Sequence, residues 1–580
     1  MVKHRWTVRR TMLVVCASVA AGAPHTHVWA QSRAVPQGSP LPRIVAPPVA
    51  PSTPGAVPVL PTLADSDVPD RPVRVSSVEV QGATAFPNAA LARYTGGLIA
   101  PDTRIPAIEA ARLAILRHYR SRGFVLTTVS VKLDGIGHLR FVVTEGYISR
   151  VKLDGDIGPA GVQVLRFLDR LTEERPIAAA TLERYLLLAQ DVPGVTLRSV
   201  LEPSNDEPGA MTLIAQVSRR AFSGLISADN RAYHQTGPNE ALTALDLNSF
   251  TEYGEKTEFS FYHTFPNSQN FGQVSSEFLV GSSGLKIKIY AGHGVVNPTG
   301  ALGRTGYQGL TTVFGTQASY PVIRSRQQTL TVYGGLDGME ATVFTGTPST
   351  RASFDSLRVI RLGEDYVLSD IWFGNDYSAL NTVSVRASEG LRLLGASTTG
   401  TAFSSARQHE RSDFTKVNFE VGRTQTLFAP WDGASVALMV LATGQWSDNI
   451  LPPAEQFYLG GSRFTRGYYS GQVPGDKALA ATAELQLNTS FGVPFVRTDT
   501  DIAAQFYVFY DWGQTWQNPS ADYATKVASA GGGTRLQLTS YAELDVEASA
   551  RLNVYPGGGQ NQGVSALNSI GLYWRILGHF

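Results

Sequence analysis

Residues 457–488 read FYLGGSRFTRGYYSGQVPGDKALAATAELQLN. The second half of this stretch decides the fold. From Ala481 the side chains alternate strictly. Ala481, Ala483, Leu485 and Leu487 fall on one side of an extended chain, and Thr482, Glu484, Gln486 and Asn488 on the other. The first half is a glycine-rich loop that carries Arg466 just ahead of a Gly-Tyr-Tyr run. Such a loop is a solvated surface turn, a ligand clamp, or a plug inside something hollow.

The same alternation runs from about residue 219 to the C-terminus, broken by Gly, Asn, Asp and Pro. In LKIKIYAG (285–292), Leu285, Ile287, Ile289 and Ala291 oppose Lys286, Lys288 and Tyr290. In TEFSFYHTF (257–265), Phe259, Phe261 and Phe265 oppose Glu258, Ser260, Tyr262 and Thr264. The final strand sets Leu572, Trp574, Ile576 and Phe580 against Tyr573, Arg575 and His579. A soluble sandwich would turn this pattern apolar-in. Long strands, repeated charged residues on the polar face and an aromatic last residue favour the apolar-out arrangement of a transmembrane barrel. Sixteen candidate strands fit between residues 219 and 580, and single-chain bacterial barrels have an even strand number. Closure also removes the sheet edges that lipid cannot hydrogen-bond.

Upstream, helical periodicity appears. VRVSSVEVQG (73–82) alternates as a strand. AIEAARLAILRHYRSRG (107–123) repeats Ile108, Ala111, Leu113, Ile115 and Tyr119 at helical spacing and stops at Gly123. FVLTTVSVKL (124–133) and HLRFVVTEG (138–146) follow as strands. The same order returns over 147–218: the strand YISRVKLDG, helices from VQVLRFLDRL and AATLERYLLLAQDVPG, then strands VTLRSVLEP and MTLIAQVS. Two copies of one α+β unit, 73–146 and 147–218, therefore precede the all-β region 219–580.

The N-terminus is of another kind. Lys3, Arg5, Arg9 and Arg10 precede the apolar run TMLVVCASVAAGA (11–23), and Val28-Trp29-Ala30 fits a cleavage site, so residues 1–30 are expected to be a signal peptide. The run is shorter than the ~20 residues of a spanning helix. Acylation at Cys16 would need a small residue where Val15 stands. Cleavage would leave 45 basic and 48 acidic residues, a net charge of −3, and no cysteine, because Cys16 is the only one. That excludes disulfides, thiol catalysis and cysteine-ligated metals from the exported chain. Residues 31–72, including SPLPRIVAPPVAPSTPGAVPVLP (39–61), are too rich in proline for a helix or sheet and read as a semi-rigid tether.

Enzymatic chemistry has no positive signal. The remaining histidines, 118, 138, 234, 263, 293, 409 and 579, form no i, i+4 pair and no HExxH. There is no GxxxxGK[ST] and no GxSxG. The near-neutral charge and the lack of a basic block interleaved with aromatics speak against nucleic acid. No catalytic residue, metal, cofactor or nucleotide is expected.

These features together resemble the two-partner secretion transporters (the TpsB family, haemolysin and haemagglutinin transporter type) within the outer-membrane assembly factor superfamily. HYRSRGF (118–124) and AQDVPGV (189–195) fall where the family's two polypeptide-transport-associated (POTRA) domains carry comparable signatures. FYLGGSRFTRGYYSGQVPGD resembles the family's long sixth extracellular loop, here 449–477. FYDWGQTW (509–516) resembles its downstream strand motif, with Phe509, Asp511 and Gly513. SADNRAYHQTG (227–237) resembles the start of the first barrel strand, with Ala232 where a glycine is expected. A Pro-rich tether stands where some members carry a plug helix, leaving PTLADS (61–66) as a candidate lumen occupant.

The resemblance implies that the loop folds back into the barrel and that Arg466 pairs with Asp511. The residue types suit this. A guanidinium grips a carboxylate with two parallel bonds and stacks on aromatics such as Tyr468 or Phe464. Gly460, Gly461, Gly467 and Gly471 would let the loop turn back and lie against the wall. Strand parity puts Phe509 and Asp511 on one face and Val508 and Tyr510 on the other. In the first POTRA unit, 124–131 is the candidate strand for adding an extended client, through Phe124, Leu126, Thr128 and Ser130.

The implied function is secretion of a large exoprotein with an N-terminal secretion domain through the outer membrane, with the POTRA domains in the periplasm. The implied surroundings are outer-membrane lipid and lipopolysaccharide, with the barrel assembly machinery and periplasmic chaperones during biogenesis. The alternative is a factor that inserts other barrel proteins, and a third class is a passive or ligand-gated porin.

Overall fold

The computed structural model describes residues 68–205, 207–346, 348–372, 374, 377–397, 405–492, 502–519, 524–554 and 567–580. The expected signal peptide, most of the tether and PTLADS lie outside these residues.

Each of the two N-terminal α+β units is a three-stranded sheet backed by helices. In the first, Ser77–Gln81 pairs parallel with the central strand His138–Thr144, which pairs antiparallel with Thr128–Leu133. The helix Ile105–Arg120 presents Ile108, Ala111, Ile115, Leu116 and Tyr119 to the inward residues Val129, Leu139, Phe141 and Val143 of that sheet. Burying each large apolar side chain contributes about 1.5–3 kcal/mol. Pro72–Val73 pairs with Thr103–Arg104, so ordered structure begins slightly before the expected boundary. The second unit repeats the order: Tyr147–Asp154, helices Ala160–Leu168 and Ala179–Gln190, then Val195–Pro203 and the central strand Ala210–Arg219.

One expectation is corrected here. The strand read over 124–131 begins only at Thr128. Gly123 takes φ +92°, ends the helical segment and turns the chain. Phe124 packs on its own unit's core and Leu126 on the second unit's, so both side chains are taken up by packing and only Leu126 bridges the units. Thr128 and Ser130 do point outward, on a strand paired on one side only.

The C-terminal region is a closed antiparallel barrel of sixteen strands, from Phe222–Asp229 to Ile570–His579, the last pairing with the first. The alternation is apolar-out. Phe261, Val508 and Leu572 are 53%, 59% and 71% exposed, whereas Ser260, Phe509 and Tyr573 are buried. Closure pairs every strand edge, the condition for crossing lipid. No helix among the described residues is long and apolar enough to cross a membrane.

The second unit is docked on the turns at one end of the barrel. Leu279 of the fourth barrel strand (Gln269–Val280) enters its core. Asp191 accepts two 2.8 Å bonds from Arg324. Arg184 donates to the carbonyls of Pro321, Val322 and Ser283.

Candidate functional site

The long connection runs between the eleventh barrel strand (Ser435–Trp446) and the twelfth (Lys477–Phe491). Lys477, expected at its end, already belongs to the wall. Within the connection, Phe457–Leu459 pairs with Val473–Gly475 as a two-stranded hairpin. The hairpin carries the tip, residues 460–472, against the inner wall. Glycine is required at one contact and makes room at another. Gly460 has φ +105°, and a Cβ there would lie 2.0 Å from the Tyr469 carbonyl oxygen. At Gly513, on the thirteenth strand (Ile502–Trp516), a Cβ would stand 2.8 Å from Leu459, so the bare backbone admits the loop.

Arg466 is 2% exposed. Its backbone N–H and Nε donate to Asp511 Oδ2 at 2.7 and 3.0 Å, and Nη2 donates to Asp511 Oδ1 at 3.0 Å. Nη2 also donates to Thr482 Oγ1 at 2.9 Å, and Nη1 to Glu484. Its guanidinium carbon Cζ lies 3.6 Å from the centroid of the Phe509 ring. The stacking partner is therefore the wall's own aromatic, not Tyr468 or Phe464 as expected. Tyr468 turns the other way, its hydroxyl set between the carbonyls of Ala528 and Asn553 at 3.0 and 2.8 Å. Phe464 packs within the loop's apolar cluster.

A buried charge is costly unless paired and hydrogen-bonded, and here the carboxylates and cations are paired. Arg535 holds Glu484 from the fourteenth strand (Thr525–Thr539) at 2.7 Å. Arg231, just after the first strand, holds Glu547 of the fifteenth (Ala542–Arg551) at 2.7 Å and stacks 3.9 Å over Tyr573 of the last. Arg466, Arg535 and Arg231 thus face Asp511, Glu484 and Glu547, with Arg551 against the Gly467 carbonyl and Asp545 3.8 Å from Arg535 beside them. Backbone carbonyls of the tip are capped too. Arg231 donates to the Arg466 carbonyl at 2.8 Å, and the Tyr573 hydroxyl to that of Gly467 at 2.7 Å.

Of the residues singled out from sequence, Arg466, Asp511, Phe509, Gly460, Gly461, Gly467, Tyr468 and Gly513 lie at this one site. Phe124, Leu126, Thr128 and Ser130 lie in the first POTRA unit, elsewhere. Arg231, Glu484, Arg535 and Glu547 were not singled out as site residues. Their signal was present: Glu484 lies on the polar face of a readable strand, Glu543, Asp545 and Glu547 recur at alternate positions, and Arg231 sits inside the quoted first-strand motif.

The profile of the family described as "Haemolysin secretion/activation protein ShlB/FhaC/HecB" matches residues 212–536. The chain belongs to this family. The ShlB-type POTRA profile matches residues 73–146. The "Heme/hemopexin transporter protein HuxB" of Haemophilus influenzae is 20% identical over 437 residues, 72% of this chain and 73% of HuxB. Among solved structures, CdiB from Escherichia coli superposes with a TM-score of 0.68 at 17% identity, covering 91% of this chain and 94% of CdiB. CdiB from Acinetobacter baumannii gives 0.61 at 15% identity, covering 90% and 93%. This ShlB/FhaC/HecB member is an outer-membrane transporter of the two-partner secretion type, with POTRA units on the periplasmic side of a sixteen-stranded barrel.

Proposed function

We propose that the POTRA units take up an unfolded exoprotein of haemolysin or adhesin type, carrying an N-terminal secretion domain, and hand it to the barrel. The inserted loop is the lock on the lumen. The observation that carries this reading is Arg466, buried on the inner wall between Asp511 and Glu484. A loop placed there fills space that a threading chain needs, so transport requires it to move. The one-sided strand Thr128–Leu133 supports strand addition by an extended client, with Thr128 and Ser130 flanking the added chain. Folding of the client outside the cell supplies the direction. No catalytic step, cofactor, metal, nucleotide or nucleic acid takes part.

In the cell, residues 1–30 direct export and 31–72 tether the first POTRA unit. The apolar belt meets outer-membrane lipid and lipopolysaccharide, and periplasmic chaperones and the barrel assembly machinery serve biogenesis. The test is deletion of the gene, reading secretion of the neighbouring exoprotein and the amounts of unrelated outer-membrane proteins. Loss of the exoprotein alone supports transport. General loss of barrels would replace it with an assembly role.

A further inference from the structure

Besides the Arg466 seat and an exposed pair between Arg463 of the tip and Glu420 of the wall, the loop is gripped at a buried place on a different arc. Glu455 ends the short turn Pro453–Glu455, just before the hairpin, and is buried inside the barrel. Arg361 of the eighth strand (Thr350–Asp370) donates to its carboxylate at 2.7 Å, and Lys416 of the tenth (Thr415–Phe428) at 2.6 Å. Lys416 Nζ also donates to the Glu455 carbonyl at 2.9 Å. Arg361 is shared with Asp337 of the seventh strand (Gln328–Thr345), which accepts the Tyr290 hydroxyl at 2.6 Å. The group is neutral while the loop is seated. None of these side chains pairs with Arg466, whose carboxylate partners lie on the twelfth, thirteenth and fifteenth strands.

We propose that Glu455 is a second latch of the loop, acting independently of the Arg466 seat. The hairpin 457–459/473–475 makes the loop a strut between the two seats. Freeing the tip alone lets it swing about a stem that still crosses the lumen. Clearing the lumen needs the Glu455 carboxylate to leave Arg361 and Lys416 as well, which uncovers one unbalanced positive charge on that wall. The opposite change occurs at the other seat, where loss of Arg466 removes the cation that Asp511 and Glu484 share. This rests on the loop being displaced during transport, but it can be read without any client.

The experiment is single-channel conductance of the purified full chain in planar bilayers, for wild type, Glu455→Gln, Glu455→Asp, Arg466→Ala and the Glu455→Gln/Arg466→Ala double variant. Heat-modifiable migration on gels verifies folding. The expected result is a several-fold rise in open-state conductance or open time for the double variant over Arg466→Ala alone, with Glu455→Asp close to wild type. A double variant indistinguishable from Arg466→Ala would overturn the second latch. If Glu455→Gln does not fold, Lys416→Met with Arg466→Ala takes its place and is judged by the same comparison. Client secretion is not measured, so failure of the latch is distinct from failure of the transport reading.

Discussion

Arg231 donates a 2.8 Å hydrogen bond to the backbone carbonyl of Arg466, 235 positions along the chain. The end of the first barrel strand thus caps the tip of the inserted loop. It does so while paired with Glu547 and stacked on Tyr573 of the last strand. The strands that close the barrel therefore meet the loop at its tip.

Replacing Arg231 with alanine leaves Glu547 buried without its closest cation, and breaking a buried pair in this way costs about 3–5 kcal/mol. The expected outcome is a loosened tip with the Arg466–Asp511 pair still formed. A lower temperature for loss of the compact form on heat-modifiability gels, with higher bilayer conductance, measures it.

Arg466→Ala strips Asp511 and Glu484 of a shared cation, at a similar cost of about 3–5 kcal/mol. Arg466→Lys keeps the charge but cannot serve Asp511, Thr482 and Glu484 together, because the ammonium lacks the planar fork. Both variants should raise conductance and impair secretion, and lysine should rescue only part. Wild-type behaviour of either function in Arg466→Ala would refute the lock.

In the first POTRA unit, acid should act through two groups. At Glu145 burial opposes ionisation. The Ala85 N–H, the Thr84 hydroxyl and N–H and the Tyr119 hydroxyl outweigh it and hold the carboxyl below its ordinary 4.5. His118 is pushed below 6.5 by burial and by Arg122 and Arg93. Both folded-state values are depressed, so each contribution is complete above the ordinary value and is lost as pH falls through the folded one. Stability should begin to decline below about pH 6.5 and fall further below about 4.5. Denaturant unfolding against pH, compared with Glu145→Gln, checks this: the variant should lose the lower step.

A photo-crosslinking residue at Thr128 or Ser130 should form an adduct with the exoprotein during secretion. The same residue at Leu126, which packs on the second unit's core, should not. Equal labelling at all three positions would rule out docking along this edge.

The barrel and the paired POTRA units were legible because their signals are local. Side-chain direction in a strand has period two by backbone geometry, so LKIKIYAG and TEFSFYHTF announce their faces without knowledge of their neighbours. Helical spacing did the same for 107–123. Phe124 and Leu126 were misread because an apolar alternation directly after a helix is also what a turn uses to pack on the cores beside it. Phe509 was placed on the correct face, but nothing in the sequence said that it, rather than Tyr468, would receive the Arg466 guanidinium.

What the sequence by itself determined is which residues face lipid and which face the lumen, that a large and even number of strands closes the cylinder, and that Arg466 rides on a loop able to turn back. What only the tertiary structure decided is who meets whom inside. Alternation fixes a face, but not the height at which Glu484, Glu547 and Asp511 stand relative to one another around a closed sheet. Nor does it fix how far a loop reaches across the lumen. Arg231 and Glu455 take their partners from that height and reach, which arise only when all sixteen strands are in register.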